Sequence, residues 1–161
     1  MSLRAVLWAF VLAVLCAAGA WAKDIALISR KENAAKNVTL TELVKICKGQ
    51  TSRWPDGKLL TLITRNPGSS DMRIVLQKIY GMSAEEVSDL IATANHDRTD
   101  RPAIVVVNSD EMLVKKVEST PGAIGLVDVY SITSGVNVLR IGGKLPLEPG
   151  YPLHGNCILL S

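Results

Sequence analysis

The chain has 161 residues, 48% of them hydrophobic, and a formal charge of +3. That length suits one domain with one core. The charge is close to neutral and no basic run interleaves with aromatics, so nucleic acid is excluded as a partner class.

The first 22 residues read as a signal peptide. Met1 to Arg4 is a short positive region, Ala5 to Ala20 is apolar and uncharged, and Ala20-Trp21-Ala22 fits a small-x-small cleavage site. The domain expected in the mature protein is residues 23–161, in the periplasm or secreted, and membrane contact would come only through the leader if uncleaved. The apolar run is short for a spanning helix, which needs roughly 20 residues. Cys16 lacks the flanking pattern of a lipidation site and reads as part of the leader.

Asp24 to Ser29 reads as a buried strand. Thr39 and Glu42 form a capping box, opening a helix with Leu40, Leu43, Val44 and Cys47 on one face and Gly49 at its end. Trp54-Pro55-Asp56-Gly57 is a turn, and Leu59 to Thr64 the next strand. Ser69, Ser70 or Asp71 can cap a helix striped by Met72, Val75, Leu76 and Ile79 and ended by Gly81. Ser83 and Glu86 are a second capping box, before Val87, Leu90, Ile91 and Ala94. Ala103 to Val107 reads as a strand buried on both faces. Ser109 caps a helix through Val117, Thr120-Pro121-Gly122 turns into the strand Ala123–Leu126, and Val136 to Ile141 is the last strand. Strands alternating with three-turn helices imply an α/β class, with a mostly parallel sheet flanked by helices.

In such sheets ligands sit beyond the carboxyl ends of strands, where helices begin. Two junctions qualify: Thr64 to Asp71 and Asn108-Ser109. The first carries Arg65 and the hydroxyls of Ser69 and Ser70 at a helix start, where free N–H groups and the dipole favour an anion. The plainer alternatives are a solvated arginine or one paired with Asp71, and serines that only cap the helix. Trp54 offers either a contact surface or a plug against the core. Glu85-Glu86 and Asp110-Glu111 are adjacent carboxylates in first helical turns, where acids suit the dipole and do not face each other. No nucleophile–base set is readable, so an enzyme is not expected. His96 and His154 are isolated and no cofactor or metal is expected. An oxidising compartment allows a Cys47–Cys157 bridge; the alternative is two buried thiols.

Several segments resemble the substrate-binding proteins of phosphate ABC importers, of the type II periplasmic binding protein kind. Ile46-Cys47-Lys48-Gly49 is similar to the family's Ile-Phe-x-Gly helix end, and Trp54-Pro55-Asp56-Gly57 to its Trp-x-Asp-Gly turn. Arg65 to Asp71 resembles its Arg-x-x-x-Ser-Gly-Thr ligand loop, and Pro121-Gly122-Ala123-Ile124-Gly125 its Pro-Gly-Ala-Ile-Gly segment. Tyr151-Pro152-Leu153 matches the exit that follows. The resemblance runs from about Asp24 to Leu153 and implies a single lobe of a two-lobed architecture. It implies phosphate or a similar oxyanion as ligand of Arg65, Ser69, Ser70 and Asp71, bound weakly. It also implies importer membrane subunits or a self-dimer as partners, or else a lobe that lost its ligand and became an interaction module. Ser70 stands where the family has glycine, and Asp71 where it has threonine. A carboxylate ~4 Å from a bound anion costs about 4 kcal/mol near a protein surface, which offsets much of what Arg65 gains.

Overall fold

The computed structural model describes residues 23–98 and 101–155. The expected leader and Cys157 lie outside the described residues. In chain order the elements are β1 (Ile25–Arg30), β2 (Asn37–Val38), α1 (Leu40–Cys47), β3 (Thr61–Arg65), α2 (residues 70–80), α3 (Ala84–Asn95), β4 (Ile104–Val107), α4 (Asp110–Ser119), β5 (Ala123–Asp128), β6 (Val136–Val138) and β7 (Arg140–Ile141).

The central sheet runs β4-β3-β5-β1-β6, and β2 and β7 form a small parallel pair beside it. β3 is parallel to both β4 and β5, whereas β1 is antiparallel to β5 and to β6. Four of the five strands therefore point one way, which is the mostly parallel sheet expected, with β1 reversed inside it. Hydrophobic periodicity marks a strand without encoding its direction, so the reversal is not readable from β1 itself.

One sheet face presents Ile25, Leu27, Leu62, Ile104, Ile124 and Leu126 to α1, α2 and α3. The other presents Ala26, Ile28, Ile63 and Val127 to Leu113, Val114 and Val117 of α4. The alternation along β1 and β3 is the two-residue period of a strand buried on both sides. α4 lies close to β5 because Gly125 has no side chain: a Cβ there would stand 2.6 Å from Leu113 Cδ2.

Both capping boxes form as expected. Thr39 Oγ1 accepts the Glu42 amide at 3.1 Å while Glu42 Oε2 accepts the Thr39 amide at 2.8 Å. Ser83 and Glu86 repeat the exchange, and Ser109 Oγ accepts the Met112 amide at 3.1 Å. In α1 the buried face is Leu43, Ile46 and Cys47; Leu40, expected on it, is exposed in the first turn. β4 also corrects the reading: it is an edge strand paired only with β3, and Val106 is 40% exposed. The expected last strand, Val136 to Ile141, divides into β6 and β7, which pair with different neighbours.

α2 is irregular throughout. It opens as a 3-10 turn (Ser70–Met72), passes one α turn (Arg73–Val75) and closes as a π turn (Leu76–Tyr80). Met72, Val75 and Ile79 are buried as expected, and Gly81 ends the helix in the left-handed region.

Candidate functional site

The carboxyl ends of β3 and β5 and the start of β1 meet at one end of the sheet. Arg65 closes β3, with its side chain 14% exposed. Its Nη1 lies 3.0 Å from Asp71 Oδ2 and also donates to Asp110 Oδ1 in the first turn of α4. Asp110 Oδ2 accepts the Ser131 hydroxyl at 2.8 Å. Asp128, the last residue of β5, accepts Lys23 Nζ at 2.9 Å and the Tyr130 amide at 2.9 Å. The Lys23 ammonium is raised above its usual range, first by the hydrogen bond to Asp128, with Asp71 and Asp110 adding through space. Two cations thus share one site with three carboxylates, a surplus of one negative charge.

The loop between β3 and α2 is built on Asn66. Its Oδ1 accepts the Gly68 amide at 3.0 Å, and its carbonyl accepts the Ser69 amide at 2.9 Å. Ser69 occupies the cap position of α2, but its side chain makes no capping bond, contrary to the plain capping expectation. Its hydroxyl and Arg65 Nε are buried with no partner among the described residues. Ser70 is exposed in the first turn, and the Asp71 side chain is 42% exposed. Arg65, Ser69, Ser70 and Asp71 are therefore gathered on one short loop. In this closed arrangement Arg65 Nη1 is held by two carboxylates.

Asp110, Ser131, Lys23 and Asp128 join the site only through the fold. Asp110 has a second role besides its first-turn position, and the only signal was that Asn108-Ser109 is the neighbouring strand-to-helix junction. Ser131 and Lys23 carry no local signal, because sheet order alone brings them here.

The opposite end of the sheet is closed differently. Trp54 Nε1 donates to the Gly122 carbonyl at 2.9 Å, so this indole is the plug of the two readings. Beside it lies an open cavity of about 470 Å³ lined by Val38, Ile46, Trp54 and Leu60 and by the polar Asn33, Asn37, Glu42, Arg53 and Asp56. Four of those polar groups are already bonded, Glu42 to the Thr39 cap, Arg53 to the Gly57 carbonyl, Asp56 to the Lys58 amide and Asn37 to the Gly143 amide, while Asn33 Nδ2 is buried with no partner among the described residues. Cys47 is fully buried in the core, and burial pushes its thiol up to about 12. Its expected partner Cys157 lies outside the described residues.

No protein-family model matches the chain, and no curated protein is similar to it in sequence. Solved structures do match. A PstS from Borrelia burgdorferi superposes with a TM-score of 0.66 at 21% identity, covering 83% of this chain and 55% of that one. An ABC-type phosphate transport receptor from Vibrio cholerae gives 0.62 at 20% identity, covering 77% and 48%. A putative phosphate ABC transporter substrate-binding protein from Clostridium perfringens, with bound phosphate, gives 0.60 at 20% identity, covering 75% and 46%.

The fold is that of the phosphate-binding proteins.

The chain spans about half the length of these structures and has the architecture of a single lobe. At this identity the likeness establishes the fold alone. The matched proteins are named as binding proteins and transport receptors, not as enzymes. Among the described residues no helix is long and apolar enough to cross a membrane.

Proposed function

We propose that the protein is an exported, single-lobe solute-binding protein that takes phosphate or a related oxyanion weakly at the start of α2. Arg65 supplies the charge, Ser69 and Ser70 the hydroxyls, and the first amides of the helix complete the cradle. The observation that supports this reading is a pair of donors without a partner, Ser69 Oγ and Arg65 Nε, on a loop whose exposed carboxylate, Asp71, holds the place of an anion against Arg65.

Asp71 acts here as a tethered competitor. The two unpartnered donors are sealed from water, so an incoming anion must displace Asp71 to reach them. A charge-assisted bond to Arg65 gains about 1.5–3 kcal/mol, while a retained carboxylate ~4 Å away costs about 4 kcal/mol, so net binding requires Asp71 to move away. The affinity expected is in roughly the millimolar range. Binding is non-covalent and needs no cofactor. The oxyanion would be taken up outside the membrane, in the periplasm or as a secreted protein, with importer membrane subunits as the downstream partner.

Calorimetric titration with phosphate and with sulfate tests this, using the wild type, Arg65→Ala and Asp71→Thr. Weak saturable heat in the wild type, lost in Arg65→Ala and at least roughly tenfold tighter in Asp71→Thr, is the expected pattern. A second reading is a lobe whose cradle stays shut and which serves as an interaction module in the cell envelope. It is favoured by the double hold of Asp71 and Asp110 on one guanidinium. Absence of heat in the wild type and in Asp71→Thr alike would decide for it.

A further inference from the structure

The cavity beside Trp54 shares no residue with the Arg65 site. Its volume of about 470 Å³ falls within the ~300–1,000 Å³ of small-molecule sites. Its walls come from residues 33–38, from α1 and from the turn at residues 51–56, with Leu60 just before β3. Two of these stretches carry bonds that fix them. The Asn33 amide donates to the Arg30 carbonyl at 3.0 Å, and Asn33 Oδ1 accepts the Ala35 amide at 3.0 Å. The Trp54 amide donates to the Lys58 carbonyl at 2.8 Å, while its indole is held on the Gly122 carbonyl. Walls fixed in advance need little ordering when a ligand enters, which lowers the cost of binding.

The lining selects the ligand in three ways. Val38, Ile46, Trp54 and Leu60 favour an apolar body, and the indole suits a flat ring. Asn33 Nδ2 is buried with no partner among the described residues. Because Asn33 Oδ1 takes the Ala35 amide, the orientation of the side-chain amide is set, and the unpartnered group is a donor. Such a donor gains by meeting an acceptor oxygen. The charged members are Glu42, Asp56 and Arg53, two carboxylates to one guanidinium, a balance that opposes an anion. A cation fares no better. Glu42 already holds the Thr39 amide and hydroxyl, Asp56 holds the Lys58 amide and lies 3.7 Å from its ammonium, and a cation leaves the Asn33 donor unmet.

We infer that this cavity is a binding site for a small, uncharged aromatic compound with a carbonyl oxygen, its ring against Trp54 and its oxygen accepting from Asn33 Nδ2. The site is separate from the oxyanion cradle and does not depend on it.

Four probes that share one ring test it: acetophenone, ethylbenzene, benzoate and benzylammonium. Each is titrated into the purified 15N-labelled protein and followed by chemical shift. Acetophenone is expected to move the Trp54 indole N–H and the Asn33 side-chain NH2 saturably, with a Kd on the order of 1 mM. Ethylbenzene lacks the oxygen and is expected to bind at least roughly fivefold more weakly. Benzoate and benzylammonium are expected to be weaker by at least roughly tenfold. Asn33→Asp keeps the oxygen that accepts the Ala35 amide and removes the donor, so acetophenone is expected to lose its advantage over ethylbenzene. Ala34 is exposed at the cavity, so Ala34→Trp fills it without altering the core and is expected to block acetophenone. No saturable shift with acetophenone up to about 10 mM overturns the inference. So does ethylbenzene, benzoate or benzylammonium binding as tightly as acetophenone, an advantage that survives Asn33→Asp, or binding that survives Ala34→Trp.

Discussion

The two ends of the sheet are built on opposite terms. At the Trp54 end the closures are single hydrogen bonds to backbone groups, neutral apart from the Arg101 guanidinium on the Pro121 carbonyl. The indole bonds the Gly122 carbonyl, and the Asn95 amide spans the amide and carbonyl of Ile104 at 3.1 and 2.8 Å. At the Arg65 end two cations and three carboxylates crowd together, and two donors nearby have no partner. Buried polar groups cost free energy unless bonded, and each end leaves some without a partner among the described residues, Thr61 Oγ1 and Arg101 Nε at the first and Ser69 Oγ and Arg65 Nε at the second, so what separates the two ends is the crowding of charge. Charge gathered in this way beyond the carboxyl ends of strands is what a binding end is expected to look like.

The largest test of that contrast is Gly122→Ala. Gly122 has φ +76°, and a Cβ there would lie 2.0 Å from the Leu59 carbonyl oxygen. Both strain and overlap act, so a loss of at least about 3 kcal/mol in urea unfolding is expected. Arg65→Ala comes next. It leaves Asp71 and Asp110 facing each other without their cation, and a loss of about 2 kcal/mol is expected, smaller at high salt. If the two ends differ as described, Gly122→Ala shows no such salt dependence. Trp54→Phe removes one neutral hydrogen bond and is expected to cost about 1 kcal/mol, also without salt dependence.

Helix starts give a finer version of the same contrast. Thr39→Ala breaks a closed capping box and is expected to cost about 1 kcal/mol, whereas Ser69→Ala removes a hydroxyl that bonds nothing and is expected to cost less than about 0.5 kcal/mol. Equal losses would mean that the Ser69 hydroxyl does cap α2 in solution. The smallest effect is in pH. The Thr39 amide and hydroxyl hold the Glu42 carboxyl below its ordinary value. Its folded value is depressed, so its contribution is present above the unfolded value of 4.5 and is lost as pH falls through the folded value. Urea unfolding of wild type and Thr39→Ala should therefore converge slightly in that acid range. The group is exposed, so a few tenths of a kcal/mol is the scale.

The helix boundaries were legible because caps are local. Thr39, Ser83 and Ser109 sit where they do for reasons contained within four residues. The strands were legible as runs of apolar residues, and the two turns at Trp54 and Gly122 by their proline and glycine. Pairing was not. That β4 has one neighbour and β1 runs backwards depends on sheet order, to which no window of sequence refers. The site divides in the same way. Arg65, Ser69, Ser70 and Asp71 could be named because they share one loop. Asp110, Ser131, Lys23 and Asp128 reach Arg65 or its carboxylates only through the folded sheet. The state of Arg65 itself, paired rather than free, was among the alternatives that spacing left open.

The reversed strand has a consequence for how the chain reaches its native state. β1 is the first strand, and both of its neighbours are late: Leu27 lies opposite Leu126, and Ile28 opposite Val138. Pairings so distant along the chain must meet the cost of closing a long loop before they gain anything, which slows folding. An apolar strand made first and paired last stays open while the rest of the chain emerges. An exported chain, as proposed here, would gain from that delay, since its sheet cannot close until nearly all of it has crossed the membrane.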